Sequence, residues 1–175
     1  MKIETAYQES LKKLIKEKPL DEINVVMLCD DCHSNRQTFY YHFRDISDVV
    51  ESIFLKAKVG YAKKLLDYEP ILKEMINYLN ANYNFVSAIN KSYSQEKLYS
   101  FMFSYFYSRI GALLKNHKID GIEITRYMST LSSNELIYWI GSKRKEKTPS
   151  LIRRLNTIFA YFVNQYQSDL KRNRF

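Results

Sequence analysis

Apolar residues return along this chain every three to four positions, the spacing of one buried face of an α-helix. Tyr7, Leu11, Leu14 and Ile15 follow i, i+4, i+7, i+8 and predict a first helix from about Thr5 to Glu17. Lys18-Pro19 ends it, because the residue before a proline is pushed out of helical geometry. Val25, Leu28, Cys29 and Cys32 mark one face of a second helix, opened by Asn24, a residue type suited to an N-cap. His33-Ser34 makes the turn, Asn35 caps a third helix, and Phe39 and Phe43 lie on its inner side. A fourth helix starts near Asp45–Ser47 and carries Ile46, Val49, Val50, Ile53, Phe54 and Ala57 at helical spacing.

Asp67-Tyr68-Glu69-Pro70 predicts a break. Beyond it, residues of about 71–89, 95–116 and 122–142 read as three long amphipathic helices, with Asn116–Gly121 between the second and third. Thr148-Pro149 opens the last helix, with Thr148 as N-cap and Pro149 at the first helical position. With only 4 Gly and 3 Pro in 175 residues, long helices are favoured over short strands joined by tight turns. The expected fold is all-α, an N-terminal three-helix unit over residues 1–47 followed by a helical bundle over 48–175, coupled by the fourth helix.

Hydrophobic content of 46% and charged content of 26% allow a core and exclude a disordered tail. No apolar run approaches the ~20 residues that span a bilayer. Ile158–Val163 is the nearest candidate. Met1-Lys2-Ile3-Glu4-Thr5 turns polar at once and has no signal-peptide core, so a cytoplasmic protein with two reduced thiols and no membrane partner is expected. Formal charge is +8, but residues 1–50 hold seven Lys and Arg against nine Asp and Glu. The excess falls in clusters such as Lys143-Arg144-Lys145 and Lys171-Arg172-Asn173-Arg174, which read as solvated surface. Net charge therefore adds little to a nucleic-acid reading, and the motif must carry it.

Residues 24–43 have the three properties of a helix-turn-helix: a buried face on each helix, a sharp turn, and a polar outer face on the second helix. That outer face consists of Arg36, Gln37, Thr38, Tyr40, Tyr41 and His42. Arg36 can donate two hydrogen bonds to a guanine edge and Gln37 can pair bidentately with adenine. Thr38, Tyr40 and His42 are spaced to reach phosphates, which fix register. Asn35 leaves the helix N-terminus open to an anionic phosphate, and Asn24 joins it and the outer face of the second helix in the candidate DNA-contact set. An ordinary helical hairpin with a polar face is the plain alternative.

Ile23-Asn24-Val25 through Asn35-Arg36-Gln37-Thr38-Phe39-Tyr40-Tyr41-His42-Phe43 resembles the DNA-binding domain of the TetR family of bacterial regulators, over roughly residues 5–55. The resemblance implies an all-helical homodimer of about nine helices that binds two operator half-sites and carries a variable C-terminal ligand domain. Carried over by position, it makes Arg36 and Gln37 base readers and Thr38, Tyr40 and His42 phosphate contacts. The chain departs from the family pattern at His33, where a glycine is usual, at Ser34, where an apolar residue is usual, and at Ile46, where a lysine is usual. Phe43-Arg44-Asp45-Ile46-Ser47-Asp48-Val49-Val50, with Trp139-Ile140 and Thr148-Pro149, resembles the DhaS-like subgroup, regulators of dihydroxyacetone kinase operons. Some members of that subgroup activate through a partner protein. A sequence-specific regulator, in the first instance a repressor, is the expected function; a helical adaptor or co-activator-dependent activator whose motif binds protein is the alternative.

Cys29-Asp30-Asp31-Cys32-His33 has the spacing of a haem-attachment motif or a zinc half-site. A closed zinc site needs four ligands, and only His42 and His117 remain as further Cys or His candidates. Two small helix thiols are the competing reading, and no cofactor or metal is expected. No phosphate loop, metalloprotease motif or nucleophile elbow occurs, so no enzyme is expected.

The chain has 15 Tyr and 10 Phe, many of them between Tyr78 and Tyr107. Aromatic-lined cavities between helices are common ligand sites, and Tyr78, Tyr83, Phe103, Tyr107 and Trp139 are the pocket candidates for a small-molecule effector. Ordinary core packing is the alternative. For the dimer interface, Ser129, Ser132 and Ser133 are small enough for close helix approach, while Leu136, Ile140, Leu151, Leu155, Ile158 and Phe162 supply apolar stripes. Packing of the same residues within one chain is again the alternative.

Overall fold

A computed structural model describes residues 2–59, 67–119 and 121–172. Among them are nine α-helices and one 3-10 turn, and no strand. The helices are α1 (Ile3–Leu14), α2 (Val25–Asp31), α3 (Arg36–His42), α4 (Ile46–Leu55), α5 (Tyr68–Ala81), α6 (Tyr83–Asn90), α7 (Gln95–Asn116), α8 (Ile122–Gly141) and α9 (Thr148–Arg172). The 3-10 turn, Leu20–Glu22, lies between α1 and α2. The all-α class read from the spacing of apolar residues is the class observed. No helix of the described residues is long and apolar enough to cross a membrane.

The chain forms two compact units, Met1–Lys58 with Asn82–Phe101, and Val59–Ala81 with Met102–Phe175. This division cuts the chain elsewhere than the 47/48 boundary expected from the motif. In the first unit Tyr7 is fully buried, its ring meeting Phe39 edge-on at 5.2 Å and Phe43 at 6.1 Å. Leu11, Leu28, Val49 and Val50 are likewise fully buried. Phe54 stacks on Phe101 at 4.8 Å and lies 5.6 Å from Phe85, so α4 packs against α6 and the start of α7. Ser94 Oγ donates to Ser47 Oγ at 3.1 Å and Lys97 pairs with Glu51 at 2.6 Å.

In the second unit α5, α8 and α9 pack together. Tyr68 stacks on Phe159 at 4.5 Å and its hydroxyl is hydrogen-bonded to Ser132. Burial pushes the Tyr68 phenol far above its ordinary range. Tyr105 Oη donates to Ile71 O at 3.0 Å and lies 2.9 Å from Glu74 Oε2, tying α7 to α5.

Four expectations are corrected. The first helix begins at Ile3 and ends at Leu14, the last turn before Pro19 being non-helical. The helix expected over 71–89 is two, parted at Asn82, where Asn80-Ala81-Asn82 offers side chains that compete for the backbone. The break expected at 67–70 is the start of α5: Pro70 falls in its first turn, where the missing N–H would have no intrahelical acceptor. Ahead of α9, the Lys147 carbonyl accepts from Ser150 N–H and Leu151 N–H, so Lys147, not Thr148, is the N-cap.

Three helices end in the same way. The N–H of Ser34 donates to Cys29 O at 2.9 Å and that of His33 to Asp30 O at 3.3 Å. Ile119 and Lys118 repeat the pattern onto Leu114 and Lys115, and Arg144 and Lys143 onto Trp139 and Ile140. These are Schellman caps, which need a left-handed residue just past the helix. That residue is His33 (φ 51°), Lys118 (φ 57°) and Lys143 (φ 58°).

Candidate nucleic-acid interface

The helix-turn-helix is built by short-range chemistry. Asn24 Oδ1 accepts Met27 N–H at 3.1 Å and starts α2; Asn35 Oδ1 accepts Thr38 N–H at 2.8 Å and starts α3. Both N-caps are those expected. Between them the Tyr7 hydroxyl reaches Ser34 Oγ at 2.7 Å, so Ser34, placed where an apolar residue is usual, is anchored to the core through its hydroxyl. Phe39 and Phe43 face inward, at 0% and 8% exposure.

The opposite face of α3 is open. Arg36 and Gln37 are exposed, Tyr40 is 58% exposed and Tyr41 86% exposed. Thr38 is half-buried and its hydroxyl donates to Asn35 Oδ1 at 3.1 Å. His42 is half-buried and faces α1, its Nδ1 3.4 Å from Glu4 Oε1. Glu4 in turn lies 3.7 Å from Lys56 Nζ at the end of α4. Exposure therefore gathers Arg36, Gln37, Tyr40 and Tyr41 on one surface, with Asn24 and Asn35 exposed at the helix starts. Ile46, where a lysine is usual, is buried at 4%.

Arg44 was missed by sequence reasoning. It stands between α3 and α4, and Asp48 holds its guanidinium through two hydrogen bonds of 2.8 Å. Those bonds keep the Asp48 carboxyl below the usual carboxylate range. The signal was available in the sequence as an Arg and an Asp at i, i+4, next to the capping Asp45.

Cys29 is buried and Cys32 half-buried. Burial raises the Cys32 thiol, which makes it less nucleophilic. No group of three or more His, Cys, Asp and Glu is arranged to hold a metal among the described residues.

The pocket candidates are divided between the two units. Tyr83 belongs to the first unit and the other four to the second. Trp139 is a packing residue at 3% exposure, and its Nε1 donates to Glu146 O at 2.8 Å. Phe103 stacks on Tyr107 at 5.7 Å. The Tyr78 phenol is pushed up to about 12 by burial. A concave groove of about 710 Å³ lies between α5 and α9, lined by Lys73, Ile76, Asn77, Ile152, Arg153 and Asn156 among others, and Tyr107 lines a second one of about 490 Å³ with Gly111 and Leu114. The dimer candidates are mostly used within the chain: Ser133, Leu136, Ile140, Leu151 and Leu155 are buried at 1% or less. Ser129 and Ser132 are also fully buried, while Ile158 is half-buried and Phe162 is 43% exposed, so these last two alone of the nine keep surface for a second copy.

No protein-family model matches the chain, and no curated protein matches it. A solved structure titled "Dihydroxyacetone kinase operon activator DhaS" is similar to it, with a TM-score of 0.62 at 16% sequence identity over 97% of each chain. The chain thus shares an all-helical fold, along its length, with a solved protein titled an operon activator.

Proposed function

We propose that this chain is a sequence-specific DNA-binding transcriptional regulator of the TetR type, working in the bacterial cytoplasm as a homodimer. Residues 1–47 read the operator, and a small molecule or partner protein acts through residues 48–175. The observation that carries the reading is the outer face of α3. It presents Arg36, Gln37, Tyr40 and Tyr41 to solvent, while Phe39 and Phe43 lock the helix to Tyr7. Arg36 and Gln37 read base edges in the major groove, and Tyr40 fixes register on the backbone. Dimerisation adds a second half-site about one helical turn away. The shared fold with a titled operon activator supports the regulator class. The α5–α9 groove supports an effector site in the second unit.

The test is fluorescence anisotropy with the duplex upstream of the chain's own gene. Wild type binds it; Arg36→Ala and Gln37→Ala each lose about 1–3 kcal/mol of discrimination against single-base changes. Tyr40→Phe weakens binding evenly across sequences. Unchanged operator affinity and preference in all three variants refutes the assignment. A promoter–reporter fusion gives the sign: repression is the reading here, and a rise in expression groups the chain with activators.

A second reading has one observation in its favour. Residues 1–50 are net acidic, and Arg36 is the one Lys, Arg, Asp or Glu on α3. An adaptor that binds protein through this face would show no counterion release, so a flat salt response favours it.

A further inference from the structure

The short connection between α3 and α4 carries a cation that the helix-turn-helix reading leaves without a role. The Arg44 side chain is 83% exposed, yet it is not loose. Its Nε and Nη2 donate to the two oxygens of Asp48 at 2.8 Å each, and its backbone N–H donates to Asp48 Oδ2 at 3.0 Å. A guanidinium has five N–H donors in a rigid fork, so roughly three remain for another acceptor. The side chain is thus held in one orientation with unused donors at the surface.

The carboxylates around it are each engaged. Asp48 is taken by Arg44 itself. Asp45 Oδ1 accepts Asp48 N–H at 2.9 Å, at the positive end of α4. Glu51 is paired with Lys97 at 2.6 Å. The group left with donors to offer on this segment is the guanidinium.

We propose that Arg44 is a DNA-backbone contact, a guanidinium set in place by Asp48 to bind a phosphate on the rim of the groove that α3 enters. The inference rests on the regulator reading above and extends it to a residue outside the motif. Arg44 lies two residues beyond His42, the last residue of α3, a span of at most ~7 Å. The major groove is about 12 Å wide, so the phosphate row beside a helix lying in it falls within reach of an extended Arg. A planar fork suits phosphate geometry, and pre-ordering by Asp48 lessens the entropy lost on binding.

The experiment uses the full chain with two duplexes of about 40 base pairs, one from upstream of its own gene and one of scrambled sequence. Binding is titrated by anisotropy across a salt series. Arg44→Ala weakens binding to both duplexes about tenfold and makes the slope of log K against log salt shallower by about 0.9 per bound protomer. Arg44→Lys keeps the slope, because the charge remains, but binds several-fold more weakly than wild type, because the fork is gone. Thermal melts accompany each variant; if Arg44→Ala does not fold, Arg44→Lys decides alone, and wild-type affinity in it overturns the proposal. An Arg44→Ala protein that folds and binds with unchanged affinity and slope also overturns it, as does a loss confined to the upstream duplex, which would mark a base reader. If wild type binds neither duplex, the regulator reading itself falls, and this inference with it.

Discussion

The left-handed residues that close α2, α7 and α8 should be improvable by glycine. His33, Lys118 and Lys143 have φ between 51° and 58°. All three are exposed, and each keeps the two hydrogen bonds of a Schellman cap. In this region a side chain crowds its own backbone, at roughly 1–2 kcal/mol per residue. Glycine removes that crowding but loses more backbone freedom on folding, roughly 0.5–1 kcal/mol. The difference leaves about 0.5–1 kcal/mol per site in favour of glycine. The three caps are separate turns without shared hydrogen bonds, so the gains should add to about 2 kcal/mol. For a chain of this size that is a rise in Tm of about 4–8 °C. The assay is thermal and urea denaturation of His33→Gly, Lys118→Gly, Lys143→Gly and the triple variant, followed by far-UV circular dichroism. Ala112→Gly, an exposed position inside α7, is the control and should lose about 1 kcal/mol. A triple variant that melts at or below wild type, or three glycines that each behave like the control, would refute the argument that these turns hold strain.

Other outcomes follow from buried polar groups. A phenol whose folded pKa exceeds its unfolded value near 10 holds its proton more tightly in the native state. That contribution is intact below about pH 10 and is lost as pH rises towards 12, the value to which burial pushes Tyr78. The urea midpoint should therefore fall between about pH 10 and 12, and Tyr68→Phe with Tyr78→Phe should flatten the fall; a midpoint independent of pH across this range contradicts it. Trp139→Phe removes the bond to the Glu146 carbonyl and should destabilise by about 1–3 kcal/mol, the lost bond and the smaller ring acting together. Because the chain has 1 Trp and it is buried, wild-type emission should be blue-shifted and move red on unfolding; a red-shifted native spectrum would place Trp139 in water.

The helix-turn-helix was legible because its determinants are local. An Asn three residues before the N–H it caps, a turn and two inward phenylalanines can all be read from spacing. The same reasoning leaves open what covers a buried face. Periodicity says which face of α8 is covered, not by what. Ser129, Ser132 and Ser133 invite close approach of another helix, and the chain supplies that contact itself. Their hydroxyls bond back to the carbonyls of Thr125, Met128 and Ser129, which lets them sit fully buried. The split at Asn82 had a visible signal. Ile71, Leu72, Met75, Ile76 and Leu79 face the core of their unit, and the next inward position on that stripe is 82, where an Asn stands. Arg44 and Asp48 escaped notice because an i, i+4 ion pair usually reads as helix surface, and this one starts before α4 begins.

Charge is the instructive case. Residues 1–50 are formally acidic, which argued against a nucleic-acid partner. Yet Asp31 is paired with Lys13, Asp48 with Arg44 and Glu9 with Lys12, while Asp45 is turned onto the positive end of α4. Each of these pairs cancels one cation with its carboxylate, so the net acidity of the segment is unchanged, but what it projects is screened beyond a Debye length of about 8–10 Å and the local donors decide. A phosphate near α3 would meet Arg36 and the free side of Arg44, not the sum over fifty residues. The formal count therefore describes the segment, whereas binding depends on the donors presented at its surface. On the proposed reading, few cations at that surface would give a shallow salt slope, with Arg36 and Gln37 rather than non-specific attraction supplying the preference.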